Sequence, residues 1–235
     1  MRGVQLFCGP KWFIGFDAII DLFSFIVLVL ISIYAFKAYN IHRKKSLLYM
    51  AWSMILISIA FLFKILTYGA FYLKDNLSWS YYALANISHG YTCSNMGFIL
   101  LFMIYALVTL IGLFLLLFVY QKEKSKSMML LVLYLITLSL FLTTSAYYVL
   151  HLTSLIITIL ITLQFYYKYK KNKLSTTKFL CVSFVIYALS HLFFLLAFYN
   201  PLIYFIAEII QLLAFGGLLY TFISVLKYGK KTGKT

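Results

Sequence analysis

Acidic residues are almost missing from this chain. There are five among 235, and charged residues of both signs make up only 11%. A soluble domain carries about 25% charged residues, so this deficit excludes an ordinary water-soluble fold. No polar stretch is long enough to enclose a core of its own, which excludes a separate soluble domain. Also missing are a glycine-rich phosphate loop, HExxH, GxSxG and any paired metal-ligand spacing. These gaps remove the usual grounds for an enzyme, and no cofactor is expected.

What fills the chain is apolar. Hydrophobic residues make up 64% and aromatics 20%, with a mean hydropathy of +0.98. The apolar runs fall at about 13–39, 47–72, 97–120, 128–144, 146–167, 179–198 and 202–226. Each is near the roughly 20 residues that a helix needs to cross ~30 Å of hydrocarbon. Runs that cross lipid must pair their backbone internally, and a barrel would need short alternating segments. The expectation is an all-α integral membrane protein, one seven-transmembrane-helix bundle over residues 1–235.

The seven-span count rests on charge. Residues 128–167 are broken only by Thr143, Thr144 and Ser145, and are too long for one span of ordinary tilt. Basic residues gather in four places: Lys37 to Lys45, Lys122 to Lys126, Lys168 to Lys178, and Lys227 to Lys234. Together these hold sixteen of the twenty. Seven spans put all sixteen on one side, leaving Arg2, Lys11 and Lys74 opposite and Lys64 inside a span. Positive-inside asymmetry then predicts an N-terminus outside and a C-terminus in the cytoplasm, most simply of the plasma membrane. Residues 1–11 lack the features of a cleaved signal, so the first run is expected to direct its own insertion. The net charge of +15 follows from this topology, with anionic lipid at the cytoplasmic face as the natural partner. Nucleic acid is not expected.

One long loop, 73–96, falls on the predicted outer side. Its Trp79, Tyr81, Tyr82 and Tyr91 suit the headgroup layer. Asn76 and Asn86 each begin an acceptor sequon and are candidate glycosylation sites. Cys8 and Cys93 share that side, where oxidising conditions permit a disulfide between them. A metal site of Cys8, His89 and Cys93 is the sharper alternative, without a usual ligand spacing. Cys181 reads as a small buried side chain.

The informative polar residues lie inside the spans. Counted from the predicted outer ends at ~1.5 Å per residue, Asp21, Lys64, His191 and Glu208 share one depth, about 9–12 Å in. Gln211 follows Glu208 at helical spacing, Asp17 and Ser24 flank Asp21, and Tyr187 precedes His191. A lone charge at mid-membrane costs about 2.5–3.5 kcal/mol, so partners are expected. If helices one, two, six and seven are neighbours, Asp21, Lys64, His191, Glu208 and Gln211 form either interhelical ties or an outward-facing ligand or ion pocket. Asp17 is shallow enough to face lipid. His151 and His42 read as interfacial. Gly216 and Gly217 read as a close-packing notch.

This layout resembles rhodopsins and other seven-helix receptors in topology alone. The run 202–226 contains no lysine for a retinal Schiff base, and 97–120 contains no carboxylate for a counter-ion. The expectation is a non-catalytic receptor- or sensor-like protein, or the membrane subunit of a larger assembly. It would bind a small ligand, a partner membrane protein or a second copy of itself. A small proton- or cation-coupled transporter or channel is the alternative. An intramembrane enzyme using His191 and Glu208 comes third.

Overall fold

The computed structural model describes residues 4–6, 13, 15–43, 45–75, 91–93, 96–120, 126–143, 147–197 and 199–232. Among them are seven helices: α1 (Phe16–His42), α2 (Lys45–Asp75), α3 (Met96–Tyr120), α4 (Lys126–Thr143), α5 (Tyr147–Asn172), α6 (Ser175–Leu196) and α7 (Pro201–Thr232). Two three-residue strands, β1 (Val4–Leu6) and β2 (Tyr91–Cys93), pair antiparallel with Val4 opposite Cys93 and Leu6 opposite Tyr91. The apolar pattern gave no hint of this ribbon, which joins the N-terminal segment to the chain entering α3.

Local chemistry marks the helix ends. Asn200 Oδ1 accepts from the Leu202 N–H at 2.9 Å, and Pro201 occupies the first helical position, where its missing donor is harmless. Arg43 and Lys173 end α1 and α5 in the left-handed region, at φ 52 and 48. Each donates its N–H to the carbonyl four residues back, at 2.7 Å. The α5–α6 joint is only Lys173 and Leu174, so α5 carries Lys168, Lys170 and Lys171 on its last turns. The expected loop lysines are therefore helical.

Six helices are long and apolar enough to cross a membrane, and the apolar part of α4, Met129–Leu142, is shorter. The surface agrees with a membrane-type protein. Phe141 is 81% exposed and Leu130 67%, while Ser24, Ser32, Ser53, Thr158 and Ser190 are buried. A water-soluble fold places these types the other way round. The chain is an all-α protein of membrane type.

Neighbouring helices follow chain order around a ring. α1 packs on α2, α2 on α3, α5 on α6, α6 on α7, and α7 back on α1; α3 meets both α4 and α5. Small residues set the closest approaches. Ser53 donates to the Gly112 carbonyl at 2.6 Å, and a Cβ on Gly112 would lie 2.7 Å from Ile57 Cγ1. Ser32 donates to the Ala51 carbonyl at 3.0 Å. Interhelical hydrogen bonds of this kind contribute about 0.6–2 kcal/mol each. The expected notch on α7 is half of what was read. Gly217 faces Ser183, whose Oγ would be 2.6 Å from an added Cβ, whereas Gly216 meets nothing within 4 Å. Cys181 is half-buried, its Sγ 3.9 Å from the Thr162 carbonyl.

Candidate functional site

The ring order brings α1, α2 and α7 side by side, and one ammonium joins them. Lys64 Nζ on α2 donates to Asp21 Oδ1 on α1 at 2.9 Å and to Glu208 Oε1 on α7 at 2.7 Å. All three side chains are buried. Ionised groups this deep in a bundle lose most of their hydration and persist only with a partner of opposite charge. Two aromatic faces approach the ammonium, Phe61 at 5.5 Å and Phe194 at 5.9 Å from ring centroid to Nζ.

Beside the triad lies a second polar pair. His151 Nδ1 on α5 is 3.2 Å from His191 Nδ1 on α6, so one imidazole donates and the other accepts. Phe194 connects the two centres: its ring stacks on His151 at 4.5 Å. The Tyr187 ring lies 4.7 Å from the His191 ring, and Gln211 follows Glu208 by one turn on α7, buried. Tyr105 of α3, also buried, lies within electrostatic reach of Lys64, Asp21 and Glu208. Six of the seven helices thus contribute a side chain to one polar centre. α4 does not.

An apolar cluster of Phe13, Phe194, Ala197, Tyr204 and Ala207 lies on the α6–α7-turn side of this centre. Tyr204 precedes Glu208 by one turn, and the Phe13 ring meets Phe205 edge-on at 4.9 Å. Through Phe194, 5.9 Å from Lys64 Nζ, this cluster adjoins the triad on the side where the depth count put the mouth of a pocket.

Of the residues singled out from sequence, Asp21, Lys64 and Glu208 are in direct contact, His191 borders them through Phe194, and Gln211 is buried one turn from Glu208 on α7. His191 and Glu208, the acid–base pair of the enzyme alternative, have different partners. Two expectations need correction. His151 is not interfacial: it is 2% exposed and faces His191, because α5 turns that side toward α6. Asp17 does not face lipid. It is buried, and its Oδ1 accepts from the Gly15 and Ala18 N–H groups at 3.0 and 2.9 Å, at the positive end of the α1 dipole.

Sequence reasoning passed over Tyr105 and left His151 outside the polar layer. Depth was the signal available for Tyr105, eight residues into its run like Asp21 and Lys64; His151, five in, is shallower than the other four. Asn76, Asn86, Cys8 and His89 lie outside the described residues, as do the Cys93 and His42 side chains; the proposed glycosylation, disulfide and outer metal site therefore do too. Among the described residues, no group of three or more His, Cys, Asp or Glu is arranged to hold a metal ion.

No known protein family matches the chain, and neither a curated protein nor a solved structure is significantly similar to it.

Proposed function

We propose that the chain is a non-catalytic seven-helix protein of the plasma membrane, receptor- or sensor-like or the membrane subunit of a larger assembly. Its working centre is the Asp21–Lys64–Glu208 triad. The observation that carries this reading is the single ammonium shared by two carboxylates on two other helices. A ligand that competes for either carboxylate, or for the ammonium, releases one helix from the other two. Occupancy at the centre thereby becomes helix movement, which a partner protein can read. The absence of recognisable catalytic motifs favours binding over chemistry.

The same reading sets the N-terminus outside and the C-terminus in the cytoplasm. Support comes from lysines crowding the α1–α2 and α5–α6 joints, which chain alternation puts at one end of the ring. It requires α4 to cross. Its 18 residues span about 27 Å, close to the hydrocarbon thickness of ~30 Å. The Phe13–Tyr204 cluster would then be the gate on the outer side, and anionic lipid would meet the basic end.

The second reading, a small proton- or cation-coupled transporter, is favoured by a different fact: two acids face one base. Reconstituted liposomes decide between them. The receptor reading expects no more proton or sodium flux under an imposed gradient than protein-free vesicles show. Gradient-driven flux that disappears in Glu208→Gln would replace it with the transporter.

A further inference from the structure

The triad does not balance as drawn. Asp21 and Glu208 each give one oxygen to Lys64, so with both carboxylates ionised the described residues of the centre hold two negative charges against one positive. Asp17, one turn along α1, is a further acid at the same end. Burial makes an uncompensated charge expensive, and membrane burial more so.

The excess has an address. Asp21 is fully buried, and its second oxygen, Oδ2, has no hydrogen-bond partner among the described residues. Gln211 Oε1, one turn along α7 from Glu208, is another buried acceptor without a partner among them. Orphan acceptors next to an excess negative charge ask for a species that is positive, small and rich in coordination. A neutral donor would satisfy the oxygen and leave the charge. A divalent ion would overshoot the single excess charge of the triad.

We propose that the centre binds one monovalent inorganic cation, sodium being the probe, seated on Asp21 Oδ2 between Asp21 and Glu208. Lys64 fills the neighbouring cation position permanently and limits the site to one ion. This deepens the ligand-site reading above and rests on it. The charged and titratable groups facing Asp21 are Asp17 on its own helix, Lys64 on α2, Glu208 on α7 and Tyr105 on α3. A proton competes with sodium for the same oxygen, so occupancy falls as the solution is acidified.

The full-length protein in detergent micelles provides the test, with thermal unfolding followed against sodium chloride and against choline chloride at equal ionic strength. Sodium is expected to raise the melting temperature saturably and choline to leave it unchanged. The half-saturating sodium concentration is expected to rise on acidification, by at most about tenfold per pH unit. Asp21→Asn is expected to lose the sodium response, and Asp17→Asn to keep it. Equal responses to sodium and choline, a pH-independent half-saturation, or a wild-type response in Asp21→Asn would each overturn the assignment. Should Asp21→Asn fail to fold, retention of radioactive sodium by the wild-type protein decides, and no displaceable retention overturns it. Micelles sustain no gradient, so a failure here is separate from failure of the receptor reading, which the liposome flux measures.

Discussion

Lys64 Nζ reaches Glu208 Oε1 at 2.7 Å across 144 positions of sequence, and this contact fastens the second helix to the last. The charge arithmetic around it predicts an order of damage rather than a uniform loss. Lys64→Met leaves two buried carboxylates facing each other and is expected to destabilise by about 3–5 kcal/mol. Asp21→Asn and Glu208→Gln each leave one balanced pair and are expected to lose about 1–2 kcal/mol. Adding Glu208→Gln to Lys64→Met should restore part of the loss. Reversible unfolding in mixed micelles measures all four variants; strictly additive losses would refute the coupling.

The histidine pair behaves differently because a ring-to-ring hydrogen bond joins it, with no ion pair. His151→Phe and His191→Phe are each expected to lose about 1–3 kcal/mol, since each strands one ring nitrogen without its partner. The double variant should lose less than the sum, as both polar groups leave together. A double-mutant cycle in the same unfolding assay checks it, and a coupling near zero would mean the 3.2 Å contact contributes nothing.

Three glycines make a graded series. Gly112→Ala drives a Cβ into Ile57 Cγ1 at 2.7 Å, with the Ile57 nitrogen and Ser53 carbonyl at 3.3 Å behind it. Backbone cannot step aside, and about 1–3 kcal/mol of overpacking is expected. Gly217→Ala meets Ser183 Oγ, a hydroxyl that rotates away, so a smaller loss follows. Gly216→Ala, facing open space, should be neutral. Melting temperatures that rank the three in another order would contradict the α2–α3 packing.

Topology is open to direct labelling. In a chain with its native cysteines replaced, cysteine at Ser80 is expected to react with an impermeant reagent in intact cells. Cysteine at Asn172 should react only after the membrane is opened. Cysteines at Ser125 and Ser145 should label from opposite sides if α4 crosses; labelling from one side would reduce the count to six.

Much of this was legible in the residues. Seven apolar runs became seven helices, six of them long and apolar enough to cross a membrane, and Asp21, Lys64 and Glu208 met because buried charge demands a partner. What was missed turned on rotation rather than depth. Nothing in the run 146–167 says which face of α5 turns toward α6, so His151 was put at an interface it does not occupy. The backbone amides that satisfy Asp17 belong to a helix start whose position was only approximate. The β1–β2 ribbon is three residues per strand, below what hydropathy alternation resolves.

The turn at Asn200 and Pro201 has a mechanical meaning. With the α7 start pinned by the Asn200 side chain and Pro201 opening α7 shortly after α6 ends at Leu196, α6 and α7 form a tight hairpin. His191 and Glu208 stand on its two arms, so a push on one arm is felt at the other. Any event that frees Glu208 from Lys64 would therefore tug on the imidazole pair held by α5, making the short turn a lever between the bundle's two polar contacts.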